Sequence, residues 1–288
     1  MRLVTFVEGD KTPRPGLVVE QGIVDLGVEG FGDAIEFMSA SERAQEEAAR
    51  CSATIALEKV RLLAPVPNPP RIFGIGVNYA EHAAESGTKM RDVPTVFIVL
   101  PSAVVGPGAE VVLPPNSSMV DYEAELAVAI GKAGHRIAAS DWEEHVFGYT
   151  MMNDVSARDV QRATSQWSLG KSFPTFAPMG PWVVSKDEIA DPHRLGISMT
   201  IGGERLQDAN TSQMIYKIPA LIEYLSSIVP LQVGDVISTG TPAGVGMGRT
   251  PQRWLKAGDE MVVAIEGIGE LRNPVVASKA DNPTHSSR

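Results

Sequence analysis

The stretch MVDYEAELAVAIGK, residues 119–132, places Asp121, Glu123 and Glu125 at every second position among apolar residues. Alternation with this period is typical of a β-strand, whose side chains point to opposite faces in turn. The acids would then share one face at spacings of about 6.5 to 7 Å. Their repulsion near an apolar core is weakly screened, so a bound cation would relieve it. A solvated outer face, where alternating acids are ordinary, is the alternative, and the spacing alone leaves both interpretations open.

Two further segments carry groups suited to acid–base chemistry. His82 and Glu85 stand three apart where a short helix is expected, so the carboxylate can hold the imidazole in the tautomer that takes a proton from water. The spacing alone favours an ordinary solvent-facing pair. Asp154 ends the strand-like FGYTMMND, where a short carboxylate either caps the next turn or points into a site.

A glycine-rich segment, STGTPAGVGMG at residues 238–248, has no phosphate-loop spacing, and GIGVNY at residues 74–79 does not complete a dinucleotide fingerprint. These glycines instead favour turns that bring backbone N–H groups and Thr241 close to something bound.

Composition limits the class of protein. The 288 residues are 43% hydrophobic and 21% charged, values that are typical of a globular chain. No apolar run reaches membrane-spanning length and the first residues lack a signal-peptide pattern, so we expect a cytoplasmic protein that binds no membrane. The single Cys51 allows neither an internal disulfide nor a thiolate zinc cluster. A net charge of −10 without a basic tract argues against nucleic-acid binding.

The order of the patterns predicts an α+β protein that is mainly β. The pattern of short strands and a polar helix in residues 1–65 predicts a small N-terminal α+β domain. The proline-rich APVPNPPR, residues 64–71, would join this domain to the rest of the chain. Residues 70–280 predict a strand-rich catalytic domain with one clear amphipathic helix, IPALIEYLSSIV, and a hairpin, GDEMVVAIEGIGELRNPVV. The polar tail, residues 281–288, is expected to be disordered.

Five ordered segments together closely resemble the fumarylacetoacetate hydrolase family, in its acylpyruvase or 2-hydroxyhepta-2,4-diene-1,7-dioate isomerase-like branch. They are GIGVNYAEHAAE, VDYEAELAVAIGK, GYTMMNDVSARDVQ, GKSFPTFAPMGPWVV and DVISTGTPAGVG. The likeness covers roughly residues 70–276. It implies a mixed β-roll or β-sandwich catalytic domain, a homodimer, a small keto-acid substrate, and Mg²⁺ or Mn²⁺ as cofactor, with Ca²⁺ as a further candidate.

The resemblance assigns roles residue by residue. It implies metal ligation by Glu123, Glu125 and Asp154, and not by Asp121. Oxygen-only ligands suit hard ions and disfavour zinc. It places His82, Glu85 and Lys171 in catalysis. It also implies a lid over the substrate in this segment, which the polar ESGTKMRD at residues 85–92 fits. The implied substrate-binding residues are Tyr79, Arg158, Gln161, Gly240 and Thr241.

One position departs from the family pattern. Many relatives carry a lysine where this chain has Val99, within FIVLPSAVV. If that lysine receives a second carboxylate, its absence favours a substrate with an apolar distal end.

The resulting prediction is metal-dependent hydrolysis of a carbon–carbon bond in a 2,4-diketo acid, giving pyruvate or a substituted pyruvate and a carboxylic acid. The His82–Glu85 pair favours hydrolysis because it can activate water. Decarboxylation of a 2-oxo acid such as oxaloacetate and ketonisation of an enol are the alternatives within the family. A protein that binds metal and keto acid without turnover is the alternative from another class.

Overall fold

The computed structural model describes residues 1–53, 55–89 and 91–278. The tail at residues 281–288 and Met90 of the expected lid lie outside this part. Strands within it are β1 (Arg2–Val7), β2 (Arg14–Val19), β3 (Gly22–Asp25), β4 (Arg61–Leu62), β5 (Ile72–Gly76), β6 (Thr95–Val99), β7 (Val104–Val105), β8 (Val111–Leu113), β9 (Val120–Asp121), β10 (Ala124–Ile130), β11 (Val146–Asn153), β12 (Ser156–Ala157), β13 (Ala177–Ser185), β14 (Gly196–Ile201), β15 (Glu204–Asn210), β16 (Val236–Ser238), β17 (Glu260–Ile265) and β18 (Gly269–Ala277). The α-helices are α1 (Ala34–Ser39), α2 (Glu42–Ala49), α3 (Ala80–Ser86), α4 (Trp142–His145), α5 (Arg158–Arg162) and α6 (Ile218–Ile228).

The largest sheet runs in the order β3-β2-β1-β13-β11-β10-β16-β5-β6, with β4 beside β1 and β7 beside β13. Most neighbours are antiparallel, while β16 with β5 and β13 with β7 are parallel. The central β10 is buried along its whole length, which explains why its sequence is apolar on both parities. A mixed sheet with short helices confirms the predicted α+β, mainly β, class.

A second sheet, in the order β15-β14-β17-β18-β8, packs on the first. Its inward side chains, such as Met199 and Val263, belong to one hydrophobic cluster with Leu126 and Val128 of β10. Burial of these facing apolar surfaces is the main favourable term that holds the two sheets together. The predicted hairpin is confirmed as β17 and β18.

The predicted amphipathic helix is confirmed as α6. Its buried side chains include Ile218, Leu221, Ile222 and Leu225, which recur at the spacing of one helix face and join the same core cluster. Pro219 stands in the first turn, where its missing N–H leaves no helical hydrogen bond unmade.

The N-terminal strands continue the large sheet. β1 pairs with β13, bringing Leu3 opposite Val183, and the two residues share a hydrophobic cluster. The sheet therefore has no break at residues 65–70, and the division into a 1–65 and a 70–280 domain stays a prediction.

Within the residues that the structure describes, helices are too short or too polar to cross a lipid bilayer.

Candidate active site

The acidic stretch does not form the single strand that its alternation predicts. Its first part is β9, which pairs with β12, and its second part is β10, which pairs with β11 and β16. Between them, the Glu123 backbone N–H donates to the Asn153 side-chain carbonyl over 2.9 Å instead of to a neighbouring strand. The two parts belong to different sheets, so the acids do not share one strand face.

Three of the acids converge in the buried interior. Glu123, Glu125 and Asp154 each offer a carboxylate oxygen, and these oxygens all lie within 4.8 Å of one another. Glu125 projects from β10, and its Oε2 accepts hydrogen bonds from the Ser238 hydroxyl at 2.6 Å and the Gly240 N–H at 2.9 Å. Asp154 follows the end of β11, and its backbone N–H donates to Glu123 O over 2.9 Å. The backbone of two neighbouring strands therefore fixes this acidic triad.

Two buried cations contact the triad. Lys171 Nζ donates to Glu123 Oε2 at 2.7 Å and to Asp154 Oδ2 at 2.6 Å. Arg158 Nη2 donates to Glu123 Oε1 at 2.5 Å, and its Nε donates to Asp121 Oδ2 at 2.9 Å. Such charge-assisted contacts compensate the cost of burying both kinds of ion.

The charges of Lys171 and Arg158 do not neutralise all the buried carboxylates around them. Four carboxylates, those of Asp121 and the triad, are at most 4% exposed, and the two buried cations are Arg158 and Lys171. With all six groups ionised the set carries a formal charge of −2, which either a divalent cation or added protons would neutralise. Asp154 Oδ1 is buried without a hydrogen-bond partner among the described residues. An orphaned carboxylate oxygen in an all-oxygen donor set fits a hard divalent ion.

The acids respond differently to this surplus charge. Burial raises the pKa of Glu125 well above its ordinary value, and the charges of Asp154 and Glu123 raise it further. Burial also raises the pKa of Asp154 to about 6, although Lys171 opposes the effect. For Glu123, burial acts upward, but Arg158 and Lys171 outweigh it and lower the pKa to about 2. Without a bound cation, burial and the neighbouring carboxylates therefore favour the protonated form of Glu125.

An imidazole faces the triad from helix α3. His82 Nδ1 lies 2.8 Å from Glu85 Oε1, so a neutral ring donates its Nδ1–H to the carboxylate and leaves Nε2 free to accept a proton. Glu85 is itself held, because the Gly244 backbone N–H donates to its Oε1 and Oε2 at 3.1 and 2.9 Å. The predicted His82–Glu85 pair is thus formed, and His82 is 7% exposed rather than solvent-facing.

One cavity of about 250 Å³ brings these groups together. Its lining includes His82, Glu123, Glu125, Arg158 and Lys171. Apolar side chains complete its walls, namely Ile75, Val77, Phe97, Trp167 and Met247. A volume of this size suits a small organic acid rather than a polymer or a nucleotide.

The remaining predicted residues differ in their relation to the cavity. Gln161 lines it and accepts a hydrogen bond from Arg158 Nη1 at 3.0 Å. Thr241 also lines it, but its hydroxyl already donates to Ala124 O at 2.9 Å. Gly240 acts on Glu125 through its N–H, and Tyr79 is not among the lining residues. Substrate contacts by these residues stay predictions.

Val99, the departure from the family pattern, does not line the cavity. Its side chain is fully buried in a hydrophobic cluster with Ile72 and Phe97. Strand β6 instead contributes Phe97, whose ring centre lies 5.0 Å from Lys171 Nζ.

The sequence patterns do not reveal the role of Asp121. Its carboxylate accepts hydrogen bonds from the Gly246 and Met247 backbone N–H groups at 2.7 and 3.1 Å, in addition to Arg158 Nε. It therefore fastens the glycine-rich segment to the arginine beside the triad. Asp121 belongs to the period-two acids, but its backbone partners lie about 125 residues away in the sequence. No pattern near Asp121 could therefore indicate that it anchors the glycine-rich segment.

Comparisons with known proteins agree with this geometry. A family described as fumarylacetoacetate (FAA) hydrolase, C-terminal, matches residues 71–276. The protein called oxaloacetate tautomerase fahd2, mitochondrial, of Xenopus laevis is 42% identical over 290 residues, covering 96% of this chain and 90% of that protein. Oxaloacetate tautomerase YisK of Bacillus subtilis is 45% identical over 224 residues, covering 76% of this chain and 74% of that protein.

One solved structure of a relative contains a bound metal ion and a small 2-oxo acid. Maleylpyruvate hydrolase from Sphingobium sp. SYK-6, in complex with manganese(II) ion and pyruvate, superposes with a TM-score of 0.82 at 32% identity. The match covers 97% of this chain and all of that one. The family match over residues 71–276 and the relatives at 42% and 45% identity show that the chain is an enzyme of the fumarylacetoacetate hydrolase family.

Proposed function

We propose that this enzyme interconverts the keto and enol forms of a small 2-oxo dicarboxylic acid, with oxaloacetate as the first substrate to test. The proposal depends on the placement of His82, which lines one cavity with Glu123, Glu125 and Lys171 and whose Nδ1 is bound by Glu85, so that Nε2 remains for proton transfer. Two relatives at 42% and 45% identity are named oxaloacetate tautomerases, which supports the same reaction here. The hydrolysis predicted from the sequence becomes the second candidate.

Glu123, Glu125 and Asp154 would hold Mg²⁺ or Mn²⁺, with Ca²⁺ as a further candidate. When bound, the ion supplies a Lewis acid that orients the 2-oxo acid and favours negative charge on its 2-oxygen. The presence of manganese in the hydrolase relative supports this choice of ion class.

Tautomerisation requires one group that moves a proton at carbon 3. In ketonisation the enol hydroxyl loses its proton to water, the carbonyl forms, and carbon 3 gains a proton. His82 Nε2 supplies that proton, because Glu85 binds Nδ1 and stabilises the charged ring that precedes the transfer. His82 then regains a proton from water, and the reverse sequence forms the enol.

Lys171 and Arg158 contribute charge rather than proton transfer. Burial lowers the pKa of Lys171, but the charges of Asp154 and Glu123 outweigh burial and raise it above the ordinary value, so the ammonium keeps its proton. A permanently charged donor in a buried site stabilises an anionic oxygen without prior rearrangement.

Hydrolysis of a 2,4-diketo acid is the second candidate because the same Nε2 can take a proton from water. The maleylpyruvate hydrolase relative supports it. The two reactions differ in product, since only hydrolysis or decarboxylation yields pyruvate.

The test mixes the enol form of oxaloacetate with the Mg²⁺-loaded enzyme and follows the ultraviolet absorbance of the enol. Tautomerase activity predicts enol loss faster than in buffer, without pyruvate or CO₂, and suppression by a chelator. Pyruvate release from acylpyruvates, with no effect on the enol, would replace this proposal with hydrolysis. Metal binding without turnover of either substrate would favour a binding role.

We also propose a homodimer of the enzyme in the cytoplasm. Exposed apolar side chains gather beside the cavity where β6 ends the large sheet: Ile98 is 38%, Leu100 46% and Leu169 71% exposed. A second copy of the chain would cover this surface.

The cytoplasmic location rests on the sequence patterns, whereas the Xenopus relative is named as mitochondrial.

A further inference from the structure

Arg162 occupies the mouth of the catalytic cavity at the end of helix α5. It lies four residues after Arg158 on the same helix, and both side chains line the cavity. Residues at this spacing share one helix face, about 6 Å apart along the axis. Arg158 is 3% exposed at the acidic end of the cavity, whereas Arg162 is solvent-exposed.

The cations that line the cavity are not equally available to a substrate. Arg158 and Lys171 are each held by two carboxylates of the protein. In the part of the chain that the structure describes, the Arg162 guanidinium has a single hydrogen-bond contact, from Nη2 to Ser86 O at 3.5 Å, and no carboxylate partner. Its charge is therefore free to meet a negative group that enters from solvent.

We propose that Arg162 binds the distal carboxylate of the substrate and thereby selects 2-oxo dicarboxylic acids over 2-oxo monocarboxylic acids. The 2-oxo acid head lies at the triad, and the chain of the substrate extends along the face of α5 toward the guanidinium. This inference rests on the proposed function, since it assigns a receptor to the second carboxylate of an oxaloacetate-like substrate.

The position of Val99 supports the assignment. The side chain at this position is buried in the core, so strand β6 offers no cation to the cavity, and Phe97 is its contribution there. The absence of a lysine at residue 99 therefore does not require an apolar distal end, because a guanidinium stands on another wall. Its planar fork matches a carboxylate with two parallel hydrogen bonds.

The test compares two inert ligands that share a 2-hydroxy acid head and differ in the distal carboxylate. L-Malate carries the second carboxylate and L-lactate lacks it. Their dissociation constants are measured by titration calorimetry with the Mg²⁺-loaded wild type and with Arg162→Gln. We expect the substitution to weaken malate binding about 10- to 150-fold, as for loss of a charged hydrogen bond, and to leave lactate within about twofold.

Two further variants sharpen the result. Arg162→Lys keeps the charge but loses the fork, so malate affinity should fall between wild type and Arg162→Gln. Arg205→Gln removes an exposed arginine outside the cavity and should change neither ligand. Added salt should weaken malate binding to wild type more than to Arg162→Gln, because the contact is solvent-accessible.

Equal affinity of wild type for malate and lactate would overturn the proposal, as would equal weakening of both ligands in Arg162→Gln. Failure of the proposed function is a separate outcome. An enzyme that does not accelerate oxaloacetate tautomerisation, yet loses its malate preference in Arg162→Gln, would keep Arg162 as the dicarboxylate receptor and remove the tautomerase assignment.

Discussion

Glu85 Oε1 lies 2.8 Å from His82 Nδ1 and also accepts a hydrogen bond from the Gly244 N–H. The carboxylate therefore ties the imidazole on α3 to the glycine-rich segment that borders the triad. This double anchoring distinguishes the pair from a surface i,i+3 contact, which would leave both side chains mobile.

Removal of the imidazole should separate catalysis from metal binding. His82→Ala is expected to lower kcat for tautomerisation by about 10² to 10⁴, the range for a lost general acid–base group. The affinity for Mn²⁺ should stay within about twofold, because His82 is not in the acidic triad. Steady-state kinetics and metal titration on the same preparation check both results. Full activity in His82→Ala would remove His82 from the proton transfer.

A glycine beside Glu85 provides a test of positioning. A Cβ added at Gly248 would come within 2.5 Å of Glu85 Oε2, so Gly248→Ala should displace the carboxylate from His82. We expect a lower kcat and a changed pH–rate profile with an unchanged fold. Gly196→Ala is the matched control, since its added Cβ would meet its nearest neighbour at 3.7 Å. A pH–rate profile shared by both variants and wild type would show that Glu85 does not tune His82.

Metal affinity should rise with pH. Burial raises the pKa of Asp154 to about 6 and the pKa of Glu125 well above its usual range, whereas metal binding needs both groups ionised. Protons therefore compete with the ion below these values, and affinity should increase by about tenfold per pH unit for each proton displaced. Mn²⁺ calorimetry between pH 5 and 8 in two buffers of different ionisation enthalpy measures both affinity and proton release. A flat profile without proton release would contradict the raised pKa values.

Asp121 should matter for stability although it is not a proposed metal ligand. Asp121→Asn removes a charge that accepts hydrogen bonds from Arg158 and from the Gly246 and Met247 N–H groups. Breaking a buried ion pair on one side costs about 3 to 5 kcal/mol in the free energy of unfolding. Asp208→Asn, in the exposed pair with Arg205, should cost less than about 1 kcal/mol. Denaturant unfolding of both variants checks the difference, and equal midpoints would rule out the anchoring role.

The apolar surface at the end of the large sheet should control oligomeric state. Leu169→Asp places a charge where the side chain is 71% exposed, so the isolated chain should fold as before. If two copies meet there, the variant should sediment as a monomer while wild type sediments as a dimer. Ile228→Asp, at a 62% exposed position on α6, is the control and should stay dimeric. Unchanged sedimentation of Leu169→Asp would place the interface elsewhere.

The sequence predicts what depends on local pattern. The 3.6-residue period of α6 and the hairpin of β17 and β18 are visible in a short window, and both are confirmed. The period-two acids left a cation site and a solvated face both open, and the family resemblance singled out Glu123, Glu125 and Asp154, which the structure brings together.

Long-range partners could not be predicted in this way. The pairing of β1 with β13 joins residues about 180 positions apart, and no local pattern in the N-terminal segment indicates it. The division of the 119–132 stretch into β9 and β10 depends on β12, β11 and β16, none of which is local to it. The sequence did not indicate Arg162 as a ligand-binding residue. Its role depends on the fact that Arg158 and Lys171 already bind carboxylates of the protein.

The proposed chemistry requires one divalent ion held by Glu123, Glu125 and Asp154. The most direct measurement is a crystal structure of the enzyme grown with Mn²⁺, with anomalous diffraction recorded at the manganese edge. We predict one strong anomalous peak per chain, in contact with all three carboxylates and with Asp154 Oδ1. A map without a peak at the triad, in which Lys171 alone bridges Glu123 and Asp154, would show that these carboxylates are not a metal site.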